Sequence, residues 1–318
     1  MKFTLKQMRY AEAAGRLGSI AAAAQELHIS QSSVAAAIDA IEGALGLDLF
    51  RRRPAKGVTP TPAGRRALEL MREMLAAAAQ LDSEFECLDG AARGTLRLGC
   101  YAAVAPHVLP PLLKAFSDRC PEARIELLEG DLAEMRARLE AGEIDLAVTY
   151  VRPDRDAAPD AFEPLFDAHP YALVPADGAL AHRRAVTLAE LAARPFVLLD
   201  LPRTREYYTD IFRGVGHELR IAHSTRSSEI LRALVGAGFG VSILNIRSGR
   251  EHLPDSPIRC LPLAEPAPAP RLGVLATPGP RLPFMARAFL ALAAELREAG
   301  AFAPFTVAPV APPARALR

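Results

Sequence analysis

Polar and basic side chains near the start of the chain have the types and the spacing that bind DNA. Amide and hydroxyl groups at the N-terminal end of a helix can hydrogen-bond to base edges in a major groove, and methyl groups can contact thymine. Guanidinium and ammonium groups nearby can bind phosphates beside that groove. The candidates are Ser30, Gln31, Ser32, Ser33, Ala35 and Ala36 for the groove and Arg51, Arg52, Arg53 and Lys56 for the phosphates.

Residues 19–42 are predicted to form the two short helices that position the groove candidates. The first helix runs from about Ser19, its N-cap, to Leu27, and Ser30 caps the second helix after a tight turn. The inward face of the second helix is predicted from the i, i+3, i+4, i+7 spacing of Val34, Ala37, Ile38 and Ile41. The pattern is that of a helix-turn-helix, and an ordinary amphipathic helical hairpin remains the alternative.

A short hairpin is predicted after the helix pair, over residues 45–61, with the arginine triplet at its start. A hairpin in this place is a wing, whereas a solvated run of charge is the alternative interpretation of the arginines. Residues 1–66 contain ten Lys and Arg against five Asp and Glu, a net charge of +5, while the whole chain carries +1. Because positive charge is concentrated in this segment, the wing is favoured.

The run from Leu5 to Pro62, with GSIAAAAQELHISQSSVAAAIDAIEGALGLDLFRR and VTPTPAG, resembles the N-terminal winged helix-turn-helix of LysR-type transcriptional regulators. The resemblance continues through nearly the whole chain. It implies that residues 31–33 lie at the groove and residues 51–53 at the wing. Members of this family often carry Pro in place of Ser32, and Ser with a polar or basic residue in place of Ala35 and Ala36. Base recognition is therefore expected to depend on Gln31, Ser33, methyl contacts and DNA shape.

Residues 62–90 are predicted to form one long helix with an apolar face. Heptad-like spacing is followed by Ala67, Leu70, Met74, Ala77, Leu81 and Leu88. That face could pack on its own domain. The resemblance implies instead a linker helix that forms a homodimer, which suits two DNA half-sites, and it leaves a homotetramer open.

From Thr95 onward strands alternate with helices, so the rest of the chain is predicted to be α/β with parallel sheets. It is predicted to begin with a βαβαβ unit over residues 95–150, whose first helix runs from Val108 to Arg119. Residues 139–150 and 234–245 have similar patterns, which predicts two related lobes. The resemblance implies a periplasmic-binding-protein-like effector domain. The predicted organisation is an all-α winged helix-turn-helix over 1–61, a linker helix over 62–90, an effector domain over 92–300 and a disordered tail over 301–318. Lobe 1 is placed at about 92–160 and 266–300, and lobe 2 at about 161–265.

Ligands of open α/β lobes bind at the carboxyl ends of strands, which identifies candidate effector residues. The candidates are Cys100, Tyr101, Ala102, Ala103, Gly130, Thr149, Tyr150, Pro202, Arg203, Thr204, Arg205, Tyr207 and Ser227. The family often has Ser or Thr near Ala102 and Ala103 to contact a carboxylate effector, so an anionic effector is in doubt here. Arg203 or Arg205 could still clamp a carboxylate.

Composition limits the other function classes. The 318 residues are half apolar and contain no Trp, which predicts about two domains. The N-terminus lacks a signal peptide and no apolar run reaches about 18 residues, so a cytoplasmic protein with no membrane association is expected. The cysteines are predicted to be free thiols without a redox pair and lie at Cys87, Cys100, Cys120 and Cys260. The seven histidines are dispersed, so no metal and no cofactor are expected.

The expected function is sequence-specific regulation of transcription, controlled by a small-molecule effector bound between the lobes. Closure of the lobes would change the placement of the DNA-binding heads. An enzyme is not expected, because neither GxSxG nor HExxH occurs, and residues 236–240 are placed as a turn between a helix and a strand. The alternatives are a non-specific architectural DNA-binding protein, and a solute-binding or enzymatic domain fused to a DNA-binding head.

Overall fold

The computed structural model describes residues 3–53, 57–86, 93–156, 161–253, 255–276 and 282–310. The chain divides into two compact units, Met1–Asp89 and Gly90–Arg318. Each unit has its own cluster of buried apolar side chains. Within the described ranges, no helix is long and apolar enough to cross a lipid bilayer.

The first unit is a helical bundle with an attached hairpin. Its elements are α1 (Leu5–Leu17), α2 (Ile20–Glu26), α3 (Gln31–Leu45), β1 (Phe50–Arg53), β2 (Gly57–Pro60) and α4 (Pro62–Glu86). Thr4, Ser19 and Ser30 cap the first three helices with their hydroxyls, as short polar residues do when they satisfy free backbone N–H groups. The predicted helix pair is therefore confirmed at its caps.

The hairpin is held against the helices by a side chain of α3 that binds backbone N–H groups at the start of β1. The Glu42 carboxylate accepts hydrogen bonds from the N–H groups of Leu49 and Phe50, at 2.6 and 3.0 Å.

Helix α4 begins at Pro62, as predicted, and residues 87–90 of the predicted helix lie outside the described residues. A Cβ atom at Gly64 would lie 1.9 Å from the Leu49 carbonyl oxygen, so only glycine permits this close approach of α4 to the chain before β1.

The second unit begins with lobe 1, which is built on a five-stranded sheet in the order β4-β3-β5-β12-β6. The strands are β3 (Gly94–Tyr101), β4 (Ala123–Gly130), β5 (Leu146–Val151), β6 (Phe162–Asp167) and β12 (Arg271–Ala276). Its helices are α5 (Ala105–Arg119), α6 (Leu132–Glu140) and α10 (Phe284–Glu298). The pairs of β3 with β4 and β5 are parallel, which confirms the predicted βαβαβ unit.

Lobe 2 lies between β6 and β12 in the chain. Its strands are β7 (Tyr171–Pro175), β8 (Phe196–Leu199), β9 (Ile221–Thr225), β10 (Ser242–Leu244) and β11 (Ile258–Pro262). Its helices are α7 (Leu188–Ala192), α8 (Thr204–Arg213) and α9 (Ser228–Gly236). Strand β7 pairs antiparallel with β10 and β11, β8 pairs parallel with β9, and a bridge from Phe196 to Val241 links the two groups.

One missed strand and two sequence-based boundaries need correction. Strand β6 was not predicted, and it pairs with β12, so the chain crosses to lobe 2 after Asp167 and not near residue 160. Strand β6 lies at the edge of its sheet and contains Pro164, a residue that edge strands tolerate because they need fewer backbone donors. Helix α5 begins at Ala105, not at Val108, because Pro106 suits the first helical turn.

The predicted disorder of residues 301–318 is wrong for residues 301–310. Phe302 is buried and lies 6.1 Å from the Phe166 ring, centroid to centroid. The Phe305 carbonyl accepts a hydrogen bond from the Arg247 N–H at 2.9 Å. A run rich in Pro and Ala is ordered here because two phenylalanines give it apolar surface to bury. Residues 311–318 lie outside the described residues.

Candidate nucleic-acid interface and ligand cleft

Helix α3 has an exposed polar N-terminal end, and one of its faces is apolar and buried. Its buried residues are Val34, Ala37, Ile38 and Ile41, as predicted. Gln31, Ser32, Ser33 and Ala36 are exposed, and Ala35 is half-buried. The helix is therefore oriented by its core contacts, and its first turn is available to a partner.

The hydroxyl groups at this end are already connected to one another. Ser30 Oγ accepts a hydrogen bond from the Ser33 N–H at 3.2 Å and lies 2.8 Å from the hydroxyls of Ser32 and Ser33. The Gln31 amide makes no hydrogen bond to any residue that the structure describes. Gln31 can therefore offer its donor and its acceptor to a base edge without losing an internal contact.

The predicted wing is the antiparallel pair of β1 and β2, in which Arg51 pairs with Thr59. Arg51 is exposed. Arg52 and Arg53 belong to β1, and Lys56 lies outside the described residues. The Val58 N–H donates to the Gly18 carbonyl at 2.9 Å, so β2 is tied to the end of α1.

A cleft of about 760 Å³, including its open mouth, lies between the two lobes of the second unit. It is found at the carboxyl ends of β3 and β5 and at the N-terminal ends of α8 and α9. Four tyrosines supply much of its wall, namely Tyr101, Tyr150, Tyr207 and Tyr208. This is the place where open α/β lobes bind small molecules.

Direct contacts join the lobes across the cleft. The Tyr101 hydroxyl, at the end of β3, lies 3.0 Å from Thr204 Oγ1, at the start of α8. Ser228 Oγ, at the start of α9, donates to the Ala103 carbonyl at 3.5 Å. The structure thus has the lobes in contact at the cleft.

Asn245 joins the cleft to both segments that connect the lobes. Its Nδ2 donates to the Ala168 carbonyl at 2.7 Å and to the Tyr207 hydroxyl at 3.0 Å. The Tyr207 hydroxyl donates to the Pro268 carbonyl at 2.7 Å, and the Tyr208 hydroxyl donates to Asn245 Oδ1 at 3.1 Å. Because residues 168 and 268 lie on the outgoing and returning connections, these hydrogen bonds link the wall of the cleft to both connections between the lobes.

The arginines that line the cleft are all paired with carboxylates. Arg152 contacts Asp154 at 2.7 Å, and its guanidinium lies 5.1 Å from the centre of the Tyr207 ring. The remaining pairs are Arg155 with Asp210 at 2.6 Å, Arg203 with Asp156 at 2.6 Å and Arg232 with Glu251 at 2.5 Å.

Burial sets the protonation of the cleft walls. It raises the pKa of Tyr101 to about 12, despite the hydrogen bond with Thr204, and it raises the pKa of Tyr150, Tyr207 and Tyr208 as well. These phenols are therefore neutral at physiological pH. Burial opposes ionisation of Asp156, but hydrogen bonds from the Arg152 N–H and from Arg203 lower its pKa overall.

The comparisons with known proteins decide the family. The model of the lysR-family bacterial regulatory helix-turn-helix protein matches residues 5–65, and that of the LysR substrate binding domain matches residues 89–297. This chain belongs to the LysR family of transcriptional regulators. The family consists of DNA-binding regulators with an effector-binding domain and not of enzymes.

Similar regulators match most of the chain. It is 29% identical to the RuBisCO operon transcriptional regulator of Allochromatium vinosum over 78% of this chain and 81% of that protein. It is 31% identical to the regulator CbbR of Sinorhizobium medicae over 76% of this chain and 77% of that protein. The crystal structure of HinK, a LysR family regulator from Pseudomonas aeruginosa, has 31% identity and a TM-score of 0.58, over 92% of this chain and 98% of that one.

In this LysR regulator the structure brings about half of the predicted effector residues to the cleft. Those that line it are Tyr101, Ala103, Tyr150, Arg203, Thr204 and Tyr207. Those that the structure does not place in its lining are Cys100, Ala102, Gly130, Thr149, Pro202, Arg205 and Ser227. Cys100 and Thr149 lie on the opposite faces of their strands from Tyr101 and Tyr150, because successive side chains alternate. Arg205 is bound to Asp200, and Ser227 caps α9.

Sequence reasoning missed several residues of the cleft. They include Leu132, Arg152, Arg155, Asp156, Tyr208, Arg232, Asn245, Ile246 and Pro270. The rule of strand ends could have found Arg152, which follows β5, and Asn245, which follows β10. Tyr208 lies within a helix and Pro270 on a connection, so no local pattern indicates either of them.

Proposed function

We propose that this regulator recognises its operator with the first turn of α3 in the major groove and with β1 against the phosphates. The observation that carries this proposal is the exposed amide of Gln31, which has no hydrogen-bond partner in the part of the chain that the structure describes, at the start of a helix whose opposite face is buried. Exposed Arg51 on the neighbouring hairpin supports phosphate binding. As Ala35 and Ala36 offer only methyl groups, DNA shape would contribute to specificity.

We propose further that the regulator forms a homodimer through α4. One face of this helix packs on its own unit, where Leu68 and Met71 are buried. Another face leaves Leu70, Met74 and Leu81 exposed to 42%, 38% and 57%. Exposed leucines at heptad spacing favour a second helix as their partner, and a two-fold dimer matches two half-sites.

The inter-lobe cleft is the proposed effector site. Residues of both lobes line it, and Asn245 links it to both connecting segments. A ligand that binds better to one arrangement of the lobes shifts the population towards it, and the altered lobes would change the spacing of the DNA-binding units. Since the proposed partner is genomic DNA, we place the protein in the cytoplasm.

The test is a binding titration on the DNA immediately upstream of the regulator's own gene, with excess non-specific competitor. We expect a protected site that survives the competitor. We expect Gln31→Ala to reduce the preference for that site over a scrambled one by about fivefold or more, because one base contact contributes roughly 1–3 kcal/mol. Gln25→Ala, an exposed change on α2, should leave that preference unchanged.

Two results would contradict the proposal. Loss of all protection in competitor would indicate a non-specific architectural protein. An unchanged site preference in Gln31→Ala would show that Gln31 does not contact bases.

A further inference from the structure

The walls of the cleft are mainly aromatic and aliphatic. The rings of Tyr101 and Tyr150 meet edge to face with centroids 5.9 Å apart, and those of Tyr207 and Tyr208 lie 5.2 Å apart. Aliphatic side chains complete the walls and comprise Val104, Leu132, Leu199, Leu244 and Ile246. Ring faces and edges of this kind favour flat aromatic ligands, because aromatic pairs gain energy beyond the area they bury.

The positive charges of the cleft are already paired with carboxylates of the protein. Each of the four arginines that line the cleft has a carboxylate partner within 2.7 Å. Among the described residues, no lysine lines the cleft. An anionic ligand would have to compete with those carboxylates or be buried without a counter-charge, which is unfavourable. Ala103 adds only a methyl group where a hydroxyl could have met a carboxylate.

The hydroxyl of Tyr150 differs from those of the other three tyrosines of the wall. Tyr101, Tyr207 and Tyr208 each use their hydroxyl in a hydrogen bond to the protein. The hydroxyl of Tyr150 makes none with the residues that the structure describes, although its side chain lines the cleft. Because a phenol that stays neutral can donate and accept, Tyr150 is suited to a neutral oxygen on a ligand.

We infer that the effector is an uncharged aromatic molecule with a hydroxyl or carbonyl oxygen that hydrogen-bonds to Tyr150. This inference rests on the proposed function, in that it takes the inter-lobe cleft as the effector site. It adds the chemical class of the ligand and the residue that orients it. The ring would lie among the tyrosines, and the neutral oxygen would satisfy the unpaired phenol.

The test compares three probes of similar shape on the full-length regulator. The probes are 2-naphthamide, which is neutral and aromatic, 2-naphthoate, which is anionic and aromatic, and decahydronaphthalene-2-carboxamide, which is neutral and saturated. Since the chain contains no Trp, naphthyl fluorescence can be excited without a protein background, and the saturated amide is measured by displacement. We expect 2-naphthamide to bind about tenfold more tightly than either of the others. The naphthoate would bring a charge into the cleft without a free counter-charge, and the saturated amide lacks the ring that contacts the tyrosines.

The matched variant is Tyr150→Phe, which keeps the ring and removes the hydroxyl. We expect it to weaken 2-naphthamide binding roughly threefold to tenfold, the effect of one neutral hydrogen bond, and to leave 2-naphthoate unchanged. Tyr10→Phe on α1 is the control and should change neither affinity. Circular dichroism and the melting temperature of each variant report whether its fold is intact.

The outcomes separate this inference from the proposed function. If 2-naphthoate binds as tightly as 2-naphthamide or more tightly, the effector class is wrong while the cleft remains the ligand site. If 2-naphthamide binding does not respond to Tyr150→Phe, the orienting role of Tyr150 is wrong. If none of the probes binds saturably, the inference is overturned as well. In each case operator protection and its response to Gln31→Ala report on the regulatory function independently.

Discussion

Glu251 is the residue that organises the polar interior of lobe 2. Its carboxylate contacts Arg232 at 2.5 Å and accepts hydrogen bonds from the Ser248 N–H, the Tyr171 hydroxyl and Cys260 Sγ. Its side chain is 2% exposed, and that of Arg232 is 7% exposed. A buried carboxylate needs this many donors to offset its loss of hydration.

Replacing this carboxylate tests how much the buried pair matters. We expect Glu251→Gln to lower the free energy of unfolding of the effector domain by about 3 kcal/mol, because it leaves the Arg232 charge buried without its main partner. Glu229→Gln is the matched control, since Glu229 also pairs with Arg232, at 3.1 Å, but is 59% exposed. The control should cost less than about 1 kcal/mol, as exposed ion pairs do.

Urea denaturation followed by circular dichroism measures both variants. Equal losses of stability in the two would show that burial does not distinguish the carboxylates and would contradict this account of lobe 2.

At the level of elements, the apolar surface of α4 divides into a buried face and an exposed face, and the exposed face is the proposed dimer interface. Leu68 and Met71 anchor it to its own unit, and the stripe of Leu70 and Leu81 remains exposed. We expect Leu70→Lys with Leu81→Lys to raise the dissociation constant of the dimer tenfold or more, because each buried leucine contributes roughly 2 kcal/mol. Glu69→Lys introduces the same residue one position away, off the stripe, and should leave the dimer intact.

Sedimentation velocity over a range of concentrations measures this equilibrium. A dimer of unchanged affinity in the double variant would rule out the exposed face of α4 as the interface.

Elements with strong local signals could be predicted from the sequence, and those fixed by tertiary contacts could not. Helix α3 could be predicted because the N-cap Ser30 and the helical spacing from Val34 to Ile41 indicate the same helix. Strand β6 was missed because Pro164 interrupts its pattern, and its pairing with β12 joins distant parts of the chain. The same reasoning found Tyr101 and Tyr150 at strand ends but not Tyr208, which the packing of α8 brings to the cleft.

At the level of the whole effector domain, contacts across the cleft would set the proposed balance between open and closed lobes. The hydrogen bond between the Tyr101 hydroxyl and Thr204 Oγ1 crosses the cleft at 3.0 Å. The Thr204 side chain is buried, so water could not easily replace the hydrogen bond if the hydroxyl were removed. Removing one such hydrogen bond shifts a two-state equilibrium by about 1 kcal/mol, which corresponds to roughly fivefold.

We therefore expect Thr204→Val, which keeps the shape of the side chain, to make the lobes open about fivefold more often. Amide hydrogen exchange should then accelerate in the peptides that cover residues 101–104 and 203–207, on the two sides of the cleft. Thr209→Val on the same helix is the matched control, because the Thr209 hydroxyl donates only to the Arg205 carbonyl at 2.8 Å within α8. If the two variants exchange alike, the effect arises in α8 itself and not from opening of the cleft. If Thr204→Val accelerates exchange on both lobes while the control does not, this bond biases the lobe equilibrium on which the proposed effector control depends.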